Sequence, residues 1–173
     1  MDIDIKNELS NYLIRNLYNE KRDVIDLTGL EFKGYSVDIS CMKVGGTLYQ
    51  SGQEVSEDLF QNGQYVEGHL HQDNQRVEGV LNQDYQRVEG DLHQEEQIVI
   101  GFLYQGNQNV GENLHQNHQT VKGSLFQYGQ NVDNDLYQSY QNVGGAISQD
   151  EIKTMTKKEI EHELGYKIII EEE

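Results

Sequence analysis

The sequence has no proline, no tryptophan and one cysteine, and only 13 of its 173 residues are lysine or arginine. Cys41 alone cannot form an intrachain disulfide, which is typical of proteins from a reducing compartment. Against the 13 basic residues stand 30 acidic ones, a formal net charge of −17. Direct binding to nucleic acid requires a basic face, so this balance excludes it and favours a basic protein partner.

Long apolar runs are also missing. No stretch approaches the roughly 20 apolar residues that span a bilayer. The start, MDIDIKNELS, has neither the basic nor the apolar region of a secretory signal. We therefore expect a cytoplasmic protein without a membrane partner.

The side-chain combinations of known catalytic sites are not found in the sequence. It contains no glycine-rich phosphate loop, no Cys-x-x-Cys pair and no Ser/His/Asp pattern. Asp73 and Asp84 could in principle pair as catalytic carboxylates, but nothing distinguishes them from solvated surface acids. The sequence predicts a protein that is not an enzyme, with no catalytic residue, cofactor or metal site.

What the chain does contain is a repeat of eleven residues. A leucine column runs from Leu48 to Leu136 and ends in Ile147, and a valine column runs from Val44 to Val143. Glutamine occupies two further columns, Gln50 to Gln149 and Gln53 to Gln141, without exception. Each unit reads Q-x-V-x-G-x-L-x-Q, so the shared residues alternate with variable ones. This period of two predicts strands whose Gln, Val, Gly and Leu side chains share one face.

Two architectures fit this pattern. An antiparallel meander would reverse at each pair between glutamines, but identical turns supply no stagger to close it and leave one Val/Leu face bare. A β-solenoid would bend at the glycines and at the Q-x-x-Q pairs and would bury Val and Leu. Its stacked glutamines would satisfy one another along the axis. We favour an all-β solenoid of 11-residue repeats with two units, or about 22 residues, in each four-sided coil.

The ends of the chain break the repeat. Residues 2–20 have leucine and isoleucine at four-residue steps, which predicts an amphipathic helix, and Thr156 with Glu159 forms a capping box for a second helix. We therefore divide the chain into an N-terminal helical cap and lead-in (1–36), a repeat array (37–149) and a C-terminal helix–strand cap (150–173). Such ends predict a finished particle, either a monomer or a homodimer formed through an end cap.

The residue after each leucine points outward and is mostly aromatic or histidine. Taken two units at a time, the histidines fall in one series, as two alternating faces would produce. This candidate outward ladder comprises Tyr49, Phe60, His71, His93, Tyr104, His115, Phe126 and Tyr137. Stacked histidines could bind a transition metal, but the column also accepts Tyr, Phe and Asn. A surface stacking ladder is the favoured interpretation.

Acidic residues also recur at fixed outward positions. Between residues 44 and 149 there are 14 acidic and 3 basic residues. We identify a candidate partner-binding surface from acids directly after valine (Glu67, Glu78, Glu89) and directly before leucine (Asp58, Asp91, Asp135). Regularly spaced carboxylates on a stiff rod resemble the phosphate rows of a duplex, although solubility alone could also explain them.

The segments EDLFQ (57–61), GDLHQ (90–94), ENLHQ (112–116) and NDLYQ (134–138) resemble the motif of pentapeptide-repeat proteins. These proteins are four-sided solenoids, and some acidic members mimic DNA and inhibit DNA-binding enzymes. The likeness covers about half of each unit and recurs every eleven residues instead of every five. It implies a non-catalytic binding protein, in its concrete form a DNA-mimic inhibitor of a nucleic-acid-binding protein. The alternative is a structural solenoid scaffold that assembles with itself.

Overall fold

The computed structural model describes residues 24–149, which form a parallel β-solenoid of very short strands. The first eight strands are β1 (Val24–Asp26), β2 (Glu31–Phe32), β3 (Val37–Asp38), β4 (Lys43–Val44), β5 (Thr47–Tyr49), β6 (Glu54–Val55), β7 (Leu59–Phe60) and β8 (Tyr65–Val66). The next eight are β9 (Leu70–His71), β10 (Arg76–Val77), β11 (Leu81–Asn82), β12 (Arg87–Val88), β13 (Leu92–His93), β14 (Ile98–Val99), β15 (Leu103–Tyr104) and β16 (Asn109–Val110). The last seven are β17 (Leu114–His115), β18 (Thr120–Val121), β19 (Leu125–Gln127), β20 (Asn131–Val132), β21 (Leu136–Tyr137), β22 (Asn142–Val143) and β23 (Ile147–Gln149).

Every fourth strand stacks on the same side, so the coil has four sides. Sheet A contains β1, β5, β9, β13, β17 and β21, and sheet B contains β2, β6, β10, β14, β18 and β22. Sheet C contains β3, β7, β11, β15, β19 and β23, and sheet D contains β4, β8, β12, β16 and β20. Leu92 pairs with Leu70 in the coil before it and with Leu114 in the coil after it, and each coil takes about 22 residues. The predicted solenoid with two units per coil is confirmed.

The first coil begins earlier than the regular repeat. β1 and β2, in the segment assigned from sequence to the lead-in, pair with β5 and β6. The partner of Val24 is Thr47, whereas the partner of Val37 is Leu59, so the first step is one residue longer than the regular step that follows. The predicted helical caps at residues 2–20 and 156–164 lie outside the described residues.

Leucine and valine fill the centre of the coil. Leucines from Leu48 to Leu125 are 0% exposed and valines from Val44 to Val121 are at most 2% exposed. In the final described coil the same column is open, with Leu136 46% and Ile147 52% exposed. A continuous apolar column therefore runs the length of the solenoid and emerges at the surface in that coil.

The glutamines also point inward and form four ladders along the axis. From Gln50 to Gln119 their side chains are at most 1% exposed. In one ladder, Nε2 of Gln83 donates to Oε1 of Gln61 at 3.1 Å, and Nε2 of Gln105 donates to Oε1 of Gln83 at 3.1 Å. Each step joins residues one coil apart, so the amides satisfy one another in the way the sequence predicted. Only Nε2 of Gln50, at the start of its ladder, is buried without a hydrogen-bond partner among the described residues.

The two kinds of corner have different backbone requirements. Between paired glutamines the second residue has a left-handed φ in every unit from residue 52 to residue 140. Glycine fills this place at Gly52, Gly63 and Gly129, but Tyr85 and Glu96 adopt it too, with φ near 57° and 54°. At the glycine corners successive coils approach closely, since a Cβ on Gly68 would lie 2.8 Å from the carbonyl carbon of Gly46.

We expect Gln83→Met to destabilise the protein by about 2 kcal/mol, because the apolar side chain removes three buried hydrogen bonds, those that join Gln83 to Gln61, Gln75 and Gln105. Gln149→Met, in the last described rung of the same ladder, should cost about 0.5 kcal/mol or less because Gln149 is exposed. Urea denaturation followed by circular dichroism measures both. Equal losses for the two variants would contradict a stabilising role for the buried ladder.

Candidate functional site

The outward side chains are arranged in columns that follow the axis. A residue in one coil lies beside the equivalent residue of the next coil, as His93 lies beside His115 in sheet A. Two glutamine turns connect sheet A to B and sheet C to D, and two glycine corners connect sheet B to C and sheet D to A. The two glycine corners are diagonally opposite. Each outward side chain therefore belongs to one defined side of the rod.

The predicted ladder is divided between two opposite sheets. In sheet A the rings of Tyr49, His71, His93, His115 and Tyr137 stack with centroids 4.6–4.8 Å apart. In sheet C, Tyr104 stacks on Phe126 at 4.7 Å, while Asn82 separates Tyr104 from Phe60. The predicted assignment of all three histidines to one face is confirmed. A second stack, His118 on Tyr140 at 5.0 Å, lies at the left-handed turn positions and was not anticipated.

Two groups of side chains have the composition of a metal site. The ligand atoms of His71, Asp73 and His93 lie within 4.8 Å of one another, as do those of His69, Asp91 and Glu112. The rings of His71 and His93 are nearly parallel, at 13°, and their in-plane lone pairs therefore do not converge on one point. In this arrangement the histidines are positioned to stack, and one ring would have to rotate before both could bind one ion.

Burial changes the titration of the sheet A ladder. Desolvation lowers the pKa of His71 below the usual 6.5, and the neighbouring His93 lowers it further. Desolvation raises the pKa of the nearby Asp73 carboxyl above 3.8, although the backbone N–H of Glu95 donates to it at 2.8 Å and opposes that rise. Both shifts favour neutral groups at this position.

The six predicted surface acids do not form one surface. Glu67, Glu89, Asp91 and Asp135 lie at the corner between sheets D and A, whereas Asp58 and Glu78 lie at the opposite corner between sheets B and C. The eleven-residue repeat places them in the same columns of the sequence, but alternate units lie on opposite sides of the coil. The candidate partner-binding surface is therefore divided between two opposite corners of the coil.

Two of these acids have a structural role that the sequence did not reveal. Oδ1 of Asp58 accepts the backbone N–H of Val80 at 2.8 Å, and Oδ1 of Asp91 accepts the backbone N–H of Asn113 at 3.0 Å. Burial would raise the pKa of Asp91, but its hydrogen bonds from Asn113 lower it overall. The residue before leucine thus caps a backbone group of the next coil. His69 does the same, since its Nδ1 accepts the N–H of Asp91 at 3.0 Å.

Two other acids each form an ion pair with the arginine two residues earlier in the chain. Glu89 contacts Arg87 at 2.9 Å, and Glu78 contacts Arg76 at 3.8 Å. These are exposed pairs, which contribute little to stability. They nevertheless reduce the local negative charge, so sequence counting overestimates the free carboxylates at these two positions.

The corner between sheets D and A holds further acids that the sequence analysis did not group with the rest. We call it the acidic edge, and it comprises Glu67, Glu89, Asp91, Glu112, Asp133 and Asp135. Glu67, Glu112 and Asp133 are exposed and have no ion-pair partner within residues 24–149. Asp73 and Asp84, by contrast, lie in different glutamine turns on opposite sides of the coil and do not meet as a catalytic pair.

Comparison with known proteins finds no family, no curated protein and no solved structure that matches this chain. The structure supports the likeness to pentapeptide-repeat proteins at the level of solenoid architecture, and no specific family is identified. Within the described residues no helix is long and apolar enough to cross a membrane.

We expect Asp91→Ala to destabilise the protein by about 1–2 kcal/mol, because the partly buried N–H of Asn113 loses its acceptor. Glu89→Ala, two residues earlier on the same edge, should change stability by less than about 0.5 kcal/mol since Glu89 is exposed. Thermal or urea denaturation of both variants tests this. If Glu89→Ala were the more damaging change, the capping role of Asp91 would be wrong.

The lowered pKa of His71 predicts a dependence of stability on pH. As pH falls below the ordinary value of 6.5, the unfolded chain binds a proton at this residue before the folded chain does, so stability is lost until the folded pKa is reached. His71→Asn should reduce this loss, and asparagine suits the column because Asn82 occupies the equivalent place in sheet C. The measurement is the urea midpoint on either side of pH 6.5 for both proteins. An unchanged pH slope in the variant would exclude His71 as a contributor.

Proposed function

We propose that this solenoid is a non-catalytic binding protein whose acidic edge is recognised by a basic partner. The observation that carries the proposal is the concentration of carboxylates at one corner of a rigid rod. The six acids of the edge lie within four successive coils, and Glu67, Glu112 and Asp133 lack ion pairs with other described residues. A partner with lysine or arginine side chains would neutralise them.

The spacing supports the concrete version, a mimic of the DNA backbone. Successive coils are about 4.8 Å apart, the ordinary strand separation. The charges of one DNA strand recur about every 3.4 Å along the helix axis. A line of carboxylates at comparable density, held by a stiff backbone, presents a similar field to a basic cleft. Such a protein would inhibit a nucleic-acid-binding protein by occupying its site.

A structural scaffold is the second candidate, and the last described coil favours it. Strands β20, β21, β22 and β23 are edge strands of the four sheets, and Leu136 and Ile147 are half exposed there. Among residues 24–149 no further strand pairs with these parallel edges, and edges that expose apolar residues are surfaces on which further strands can stack. Self-assembly through this end would make the rod longer and would not require the acidic edge.

The test compares two triple neutralisations with the same change in net charge. The edge variant carries Glu67→Gln, Glu112→Gln and Asp133→Asn, and the control variant carries Glu31→Gln, Glu54→Gln and Glu57→Gln on and next to sheet B. All six residues are exposed. The probe is a labelled DNA duplex bound to an arginine-rich peptide, and the measurement is its displacement followed by fluorescence anisotropy at low salt.

We expect the unmodified protein to displace the duplex, the edge variant to require about tenfold more protein or higher, and the control variant to remain close to the original. Displacement should weaken steeply as salt is added. Equal weakening in both variants would show that only the net charge matters. A failure of the unmodified protein to displace the duplex would exclude the DNA-mimic version.

A further inference from the structure

One coil carries a row of apolar side chains on its outside. Along the corner from sheet B to sheet C, the four successive outward residues are Ile98, Ile100, Phe102 and Tyr104, which we call the apolar row. Ile98 is 39% and Phe102 45% exposed. No other described coil has apolar residues at all four of these positions on either side of the rod. The coil needs none of them for its core, since Val99 and Leu103 supply it.

The neighbouring coils extend the row on both sides. Val80 lies beside Phe102 in the preceding coil, and Phe126 stacks on Tyr104 in the next coil at 4.7 Å. The result is a compact exposed patch across three coils. Contiguous exposed apolar surface on a polar protein is typical of an interaction site.

The charges around the row are arranged with opposite signs. In the column of Ile100, the preceding coil has Glu78 and the following coil has Lys122, so each charge lies one coil away from Ile100. Ile100 is therefore the centre of a short line that reads negative, apolar, positive along the axis. In the next column Arg76, which contacts Glu78 at 3.8 Å, lies beside Ile98 in the preceding coil, and the uncharged Thr120 lies beside Ile98 in the following coil. When the line of Glu78, Ile100 and Lys122 faces the same line of a second copy running in the opposite direction, each charge meets a charge of opposite sign.

We propose that the apolar row is the interface of a side-by-side homodimer in which the two rods run antiparallel. A two-fold axis perpendicular to the rods and passing through the row places Ile100 against Ile100 of the second copy. It also places Glu78 against Lys122 of the second copy, and Lys122 against Glu78. A parallel arrangement would set like charges together, and stacking through the ends would not bring these residues into contact.

The dimer would leave the acidic edge free. The acidic edge lies at the corner between sheets D and A, diagonally opposite the apolar row. Two such edges would face outward on opposite sides of the pair. The interface itself is argued from the apolar row and its flanking charges alone, so it stands or falls independently of the proposed binding of a basic partner.

The patch is limited to about three coils, so we expect a dissociation constant on the order of micromolar. Sedimentation equilibrium and light scattering of the full chain, from about 1 µM to about 1 mM, would show a monomer–dimer equilibrium. Phe102→Ser removes the centre of the patch from both copies and should weaken dimerisation by about tenfold or more. Tyr137→Ser is the matched control, because Tyr137 is an aromatic residue of the same 45% exposure on the opposite side of the rod.

A charge exchange tests the antiparallel arrangement. Glu78→Lys alone and Lys122→Glu alone each set like charges against each other and should weaken the dimer. The double variant Glu78→Lys with Lys122→Glu restores both pairs and should dimerise as the original does. A protein that remains monomeric at all these concentrations would overturn the proposal. So would dimerisation insensitive to Phe102→Ser, or a double variant as weak as either single one.

Discussion

The hydrogen bonds between stacked glutamine side chains are the constraint on which the rest of this structure depends. A buried amide is tolerated only when both its donor and its acceptor are satisfied, and here each step of a ladder requires another amide one coil away, as Gln94 requires Gln72 and Gln116. Leucine and valine side chains could pack in many registers of one coil on the next, but the glutamine amides form their hydrogen bonds in only one register. The ladders therefore hold the coil at about 22 residues, and an inserted residue would leave amides unpaired on both sides.

A fixed coil length has a direct effect on the outer surface. Every outward residue lies beside the equivalent residue of the next coil, so residue types in alternate units form lines along the rod. Rings stack at 4.6–4.8 Å in sheet A, and acids such as Asp91 reach the backbone of the next coil. The hydrogen bonds from backbone groups to these acids make some of the polar side chains part of the folded structure. For Asp58 and Asp91, negative charge is partly a means of capping backbone groups at a corner.

Most of the fold could be predicted from the sequence because its signals are local and periodic. Alternating Val, Gly, Leu and Gln indicate inward faces, and the histidines after leucine indicate the two-unit coil. The grouping of acids follows only when the two-unit coil is also applied to the acidic columns, since Glu67 and Glu78 hold the same place in the eleven-residue unit but lie at opposite corners. The left-handed turns at Tyr85 and Glu96 could not be predicted, because these residue types do not favour that conformation.

The requirements of folding do not explain why the outward residues differ between the two glycine corners. Inward positions repeat every eleven residues because each unit must fill the same core, with Leu92 and Leu103 equally buried on opposite sides. Outward positions have no such requirement, yet one corner gathers carboxylates around Glu112 and the other gathers Ile100 and Phe102. The second corner also holds Glu57, Asp58 and Glu78, but a purely solubilising surface would not expose isoleucine and phenylalanine beside them. The two corners are therefore best understood as two different contact surfaces held back to back by one rigid, self-paired core.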